Sequence, residues 1–254
     1  MSHSPDSSPS SPRRQFIGEL AAGAAALAAV ACAPAATASS TTQAPAPTPT
    51  PPTAANTAPT APPLPIPPQT WDVSWTNRIT AKHKVVFDSP EIEEGTALYH
   101  AVSYLQSVKD VFGTGDSDAS VVVILRHAAV PLLYNDAMWE KYNIGTATKT
   151  LDQKTKAPVT RNIYYQRLDA QGKPIEDRPT PTIRSLTNRG VIFVGCDLAT
   201  RGFARRFGDA TKQEMRDVYA ELKANLVPGA SLLTTGVFAM LLAQEAGCSF
   251  MKAT

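Results

Sequence analysis

Gly190-Val191-Ile192-Phe193-Val194-Gly195-Cys196 is the clearest strand in the chain. Its apolar residues run without polar alternation, so both faces of the strand need apolar neighbours, as in a parallel sheet covered by helices on two sides. Lys84-Val85-Val86-Phe87, ended by Asp88-Ser89-Pro90, reads the same way, as does Ser120-Val121-Val122-Val123-Ile124-Leu125. Ser231–Thr234 supplies a fourth strand and Ser249–Met251 a short last one. Between the first two, apolar residues at Ile92, Leu98, Ala101, Val102, Leu105, Val108 and Phe112 predict a helix over Glu91–Phe112, closed by Gly113. Further helices are expected over Pro131–Tyr142 (ending at Gly145), Leu198–Phe207, Lys212–Leu226 and Gly236–Ala246. Strands alternating with helices imply right-handed crossovers, hence a three-layer α/β domain on a mostly parallel five-stranded sheet. Residues 146–181 lack periodicity and read as an insertion, with a hairpin around Ile163–Arg167.

The 254 residues do not make two domains. From Leu20 to Trp71 there is no charged residue, and twelve of the 22 prolines fall between Ala33 and Gln69, among Ala and Thr. Such a stretch has too little large apolar surface to offset the entropy of ordering it, so 33–70 is expected to be a disordered, polyproline-like tether. Ahead of it, Arg13-Arg14-Gln15-Phe16-Ile17 has the form of a twin-arginine export signal, followed by an Ala-rich apolar run of twelve residues. That run is shorter than the roughly 20 residues of a membrane span. Cys32 stands where a lipoprotein signal places its acylated cysteine, although the residue three positions before it is Ala29 rather than the usual Leu. Plain cleavage after Ala29-Val30-Ala31 or Ala36-Thr37-Ala38 is the alternative, and the lipid anchor at Cys32 is favoured because the uncharged tether suits a spacer off a membrane. The expected organisation is therefore a signal peptide at 1–32, a tether at 33–70 and one domain at 71–254, placed outside the cytoplasm.

Several chemistries lack their residues. The chain has no glycine-rich phosphate or dinucleotide loop after its first strand, no G-x-S-x-G elbow, no H-E-x-x-H and no C-x-x-C. His3, His83, His100 and His127 show no metal-ligand spacing, so neither metal nor cofactor is implied. The net charge is +2, and the densest basic cluster is Arg201, Arg205 and Arg206, too small a footprint for nucleic acid.

Cys196 stands out instead. It ends a central strand and precedes a helix, where ligands bind in open α/β sheets and where a helix amino terminus favours a thiolate. Arg126 and His127 end the second strand at the same sheet edge, suited to hold an anion and to orient or protonate sulfur. Asn135 and Arg201 are candidate lining residues of the same cleft, whereas Trp139 reads as core. The competing reading makes Cys196 an inert packed thiol and His127 a turn residue. A disulfide between Cys196 and Cys248 is not expected, because the two stand at opposite edges of a parallel sheet, about 15 Å apart for a five-residue strand.

From about Lys84 to Lys252 the chain resembles the DsrE/DsrF-like family of sulfur-relay proteins. The matching stretches are Lys84–Asp88, Val123–His127 with Asn135–Trp139, Val194–Ala199, and Asn225–Gly229 through Gly236–Ala239 to Gln244–Cys248. The resemblance implies a flavodoxin-like sheet, assembly into trimers or hexamers, and a persulfide-carrying cysteine at the position of Cys196. The function expected is sulfur handling outside the cytoplasm, with a donor or partner protein that the sequence does not name. The alternatives are a non-catalytic binding or scaffold lipoprotein and a small-ligand sensor using the same cleft.

Overall fold

Five strands, β1 (His83–Ser89), β2 (Ala119–Leu125), β5 (Ile192–Cys196), β6 (Ala230–Leu233) and β7 (Ser249–Lys252), form one parallel sheet in the order β6-β5-β2-β1-β7. A separate antiparallel hairpin pairs β3 (Arg167–Leu168) with β4 (Pro174–Ile175). The structure is a computed structural model and describes residues 70–169, 171–175 and 180–253. The export signal with Arg13, Arg14 and Cys32, and the tether up to Gln69, lie outside the described residues.

The unbroken apolar runs are buried on both sides, as their composition requires. Val85, Phe87, Val121, Val123 and Phe193 face one core, beneath α1 (Thr96–Phe112) and α4 (Ile183–Asn188). Val86, Val122, Ile124, Ile192 and Val194 face the other, where Ala239 and Ala243 of α7 (Gly236–Glu245) pack. Each such Val, Ile or Phe contributes about 1.5–3 kcal/mol by leaving water. The chain steps β1, β2, β5, β6 in one direction, then α7 carries it back past three strands to β7. Right-handed crossovers demand that a step in the reverse direction use the opposite face, and α7 does so. The outcome is the three-layer parallel α/β sheet expected from the strand pattern, of the flavodoxin-like class that the resemblance implies.

Four local readings need correction. The first helix begins at Thr96 and not at Glu91, because Glu93, Glu94 and Gly95 take φ values of 37°, 55° and 83°. Its other end is as expected, with Gly113 at φ 68° donating to the Lys109 carbonyl. The helix expected over Pro131–Tyr142 is instead a 3-10 segment (His127–Leu133), an extended Tyr134, then α2 (Asp136–Lys141) and α3 (Ile144–Ala147). Here pairing overrides periodicity: Asn135 N–H donates to the Asn225 carbonyl and Val227 N–H to that of Leu133, which keeps the chain extended. The hairpin falls at 167–175, later than expected, and α4 was not anticipated at all. Six residues are too few for a periodic signal, and only the capping box of Thr182 with Ser185 marks its start. Beyond β5, α5 (Asp197–Thr211) and α6 (Met215–Ala224) match two expected helices with shifted ends.

The segment read as an insertion is tied into the domain, and Asn162 makes most of the side-chain hydrogen bonds that do so. Asn162 is 1% exposed; its amide donates to the Leu132 and Tyr134 carbonyls at 2.7 and 2.8 Å. Its side-chain oxygen accepts from the N–H groups of Tyr164 and Tyr165 at 3.1 Å.

Candidate functional site

Parallel strands bring their carboxyl ends to one edge, so residues far apart in sequence meet there. Asp88 comes from β1, Arg126 follows β2, Cys196 ends β5, and Thr234 follows β6. The Arg126 guanidinium forks onto the Asp88 carboxylate, Nε to Oδ1 at 2.7 Å and Nη2 to Oδ2 at 2.9 Å. Asp88 is buried while the Arg126 side chain keeps 30% of its surface in water, and the bidentate contact fixes the geometry of the pair. Arg126 is held above its usual pKa first by the hydrogen bond it donates to Asp88, against some desolvation, with smaller contributions from the charges of Asp88, Cys196 and Glu91. The pairing of Leu125 with Gly195 sets the residues that follow them, Arg126 and Cys196, side by side on adjacent strand ends. The stem of Arg126 rests on the first turn of α7, where a Cβ on Gly236 would stand 2.6 Å from that of Arg126. Only glycine admits the arginine there.

Cys196 is both the last residue of β5 and the N-cap of the 15-residue α5, at φ −90° and ψ 112°. Its carbonyl accepts from the Thr200 hydroxyl, which in turn accepts from the buried Tyr134 hydroxyl, both at 3.2 Å. Burial, ahead of smaller contributions from the neighbouring charges, pushes the Tyr134 phenol far above its usual range. It therefore acts as a neutral donor. The next residue, Asp197, is 1% exposed and begins α5 with a carboxylate held by Arg201 Nε at 2.7 Å and by the Tyr219 hydroxyl. An acid in the first turn stabilises the helix but opposes a second negative charge beside it. Arg201 offsets that acid, and Arg126 is the cation at the end of the strand next to Cys196.

The other candidates have different places. His127 has φ 53°, and its ring is 74% exposed, 3.3 Å from Glu91 Oε1. Such an exposed pair contributes little to stability. Asn135 caps α2 by accepting from Met138 N–H and binds Asn225, so both ends of its amide are in use. Arg201 is engaged with Asp197 and stacks over the Tyr219 ring. Trp139 is core, as expected, and donates to the Pro131 carbonyl. The structure thus brings together Cys196 and Arg126, and adds Asp88 and Asp197, which sequence reasoning missed. The signal available for Asp88 was an acid ending an otherwise apolar strand.

Cys196 and Cys248 are both free, and β2 and β1 stand between their strands, in line with the topological expectation. Burial pushes the Cys248 thiol up to about 11, with Lys84 pulling weakly the other way. Among the described residues, no group of three His, Cys, Asp or Glu side chains is arranged to hold a metal ion. No described helix is long and apolar enough to cross a membrane. A cavity of about 790 Å3 opens at the same sheet edge beyond β1, between the entry to α1 and residues 148–168. Cys196 is not among its lining residues.

No family model matches the chain, and no curated protein does. Among solved structures, the protein of unknown function MTH1491 from Methanobacterium thermoautotrophicum is similar with a TM-score of 0.34 and 15% identity, covering 67% of this chain and 98% of that one.

Proposed function

We propose that the domain is a DsrE/DsrF-like sulfur carrier working outside the cytoplasm, with Cys196 as the acceptor. The observation that carries this reading is the placement of Cys196 at a strand end and helix N-cap, on the strand next to the one that Arg126 follows. In the proposed step the Cys196 thiolate attacks the outer sulfur of a polysulfide or protein persulfide. The donor's S–S bond breaks, its remaining sulfur leaves with the electron pair, and Cys196–S–S⁻ forms. The transferred sulfur is already at the zero oxidation level, so no further oxidant is needed. Arg126 stabilises the resulting anion, and the burial of Cys196, 7% exposed, limits hydrolysis. Incubation with inorganic polysulfide, followed by intact-mass measurement and peptide mapping, tests it. One added sulfur on Cys196, absent in Cys196→Ser, is the expected result; undiminished loading in that variant would contradict it.

Placement outside the cytoplasm rests on Arg13-Arg14 and the Ala-rich run that follows. Replacing both arginines by lysine is expected to leave the precursor in the cytoplasm, since the pair is read by a receptor. Export of the doubly substituted chain at the normal level would rule the address out.

A second reading, a binding or scaffold protein, rests on α7. Its mean composition is apolar all round: Ala239 and Ala243 pack on the sheet, while Val237, Phe238 and Leu241 are 65, 44 and 47% exposed. An apolar helix face left in water marks an association surface, which suits the trimer or hexamer implied by the resemblance. Phe238→Ser with Leu241→Gln is expected to lower the solution mass measured by sedimentation, and an unchanged mass would exclude this face.

A further inference from the structure

The cavity beyond β1 has features that neither Cys196 nor α7 explains. One wall is the entry to α1, where Glu93 and Glu94 take left-handed backbone and no side chain caps the 17-residue helix. The opposite wall is the 148–168 segment, where Lys149 and Lys156 are also left-handed, at φ 56° and 59°. Four of the seven described non-glycine residues with positive φ therefore line this one cavity. Conformations of this kind cost about 1–3 kcal/mol each and persist where the surroundings enforce them. The surroundings do so here: the Asp152 carboxylate accepts from Lys154 and Thr155 N–H at 3.0 and 2.7 Å, and the Thr148 and Thr150 hydroxyls meet at 2.8 Å. The Tyr164 ring closes against Gly95, 3.0 Å from where a Cβ would stand.

Arg161 decides what the cavity suits. It lines the cavity half-buried and makes no hydrogen bond or ion pair with any described residue. A guanidinium drawn partly out of water is ordinarily paired. Asp152 is turned into its own loop, and Glu93 and Glu94 are exposed at the rim, so none of the three neutralises it. Beside it, Leu98, Ile163 and Tyr164 offer an apolar wall. The Tyr164 phenol, raised to about 12 chiefly by burial and next by the charge of Glu94, stays neutral at ordinary pH.

From this we infer that the cavity binds a small organic anion, its carboxylate or phosphate meeting Arg161 and its flat apolar body lying against Tyr164. The volume is that of sites for small molecules and cofactors. Calorimetric titration of the full chain with 1-naphthyl phosphate, 1-naphthoate and uncharged 1-naphthol tests the inference. Both anions are expected to bind, and naphthol about tenfold or more weakly, the scale of one hydrogen bond to a charged group. Arg161→Gln is expected to erase the difference and Arg161→Lys to restore part of it. Neither should move the unfolding midpoint, because Arg161 holds no described partner. The stronger of the two anions identifies the head group. Naphthol binding as tightly as the anions, unchanged anion affinity in Arg161→Gln, or no binding by any of the three would overturn the inference.

Discussion

Asn162→Ala is expected to destabilise the domain by about 3–5 kcal/mol, the upper range for single substitutions. The truncation removes a donor pair from the carbonyls of Leu132 and Tyr134 and an acceptor from the N–H groups of Tyr164 and Tyr165. Each buried polar group left unpaired costs about 1–3 kcal/mol, and partial entry of water keeps the total below the simple sum. The backbone N–H of Asn162 still reaches the Asp136 carboxylate, and Ile183 and Arg184 N–H still donate to the Tyr164 and Tyr165 carbonyls, so the segment stays attached. Urea unfolding followed by circular dichroism reads the change. A loss below about 1 kcal/mol would mean that residues 146–181 are an appendage and not part of the cooperative unit.

The two described thiols should differ widely in reactivity. Iodoacetamide at pH 8 is expected to label Cys196 in the folded protein and leave Cys248 untouched. A thiol at about 11 is ionised in roughly one molecule per thousand at pH 8, several hundredfold less than a free cysteine. The sign follows from burial: the neutral thiol is favoured, so labelling of Cys248 should rise only as pH approaches 11 or as the domain unfolds. The same raised value means that Cys248 contributes stability at pH 8 and below, which is lost as pH climbs through about 11. Cys196 instead sits at a strand end and helix N-cap, beside the strand that Arg126 follows. Peptide mapping of the alkylated protein distinguishes the two, and preferential labelling of Cys248 would assign Cys196 to the packed core.

The sheet was readable because continuous apolar runs such as Val121–Leu125 fit few environments other than a strand covered on both faces. Helix ends were readable where a single residue enforces them, as Gly113 does. They were missed where several residues share the work, as at Glu93-Glu94-Gly95. Pro131–Tyr142 shows the limit of periodicity, since its apolar spacing is helical while backbone bonds to Asn225 and Val227 hold its middle extended. Those bonds span about ninety positions and leave no local trace. The site divides in the same way. Cys196 and Arg126 could be singled out because one ends a strand and the other directly follows one. The use of Asp88 to fix Arg126 depends on a contact between separate strands. His127 and Asn135 have the right chemistry and the wrong geometry, one turned to solvent and the other spent on a helix cap.

The measurement that bears most directly on the central claim is mass spectrometry of the chain isolated from its native cell envelope without reductant, mapped to the peptide containing Cys196. The account predicts a fraction of that peptide carrying one additional sulfur, removable by mild reduction and absent from the Cys248 peptide. A Cys196 peptide found only as the free thiol, in cells supplied with a sulfane-sulfur source, would contradict it.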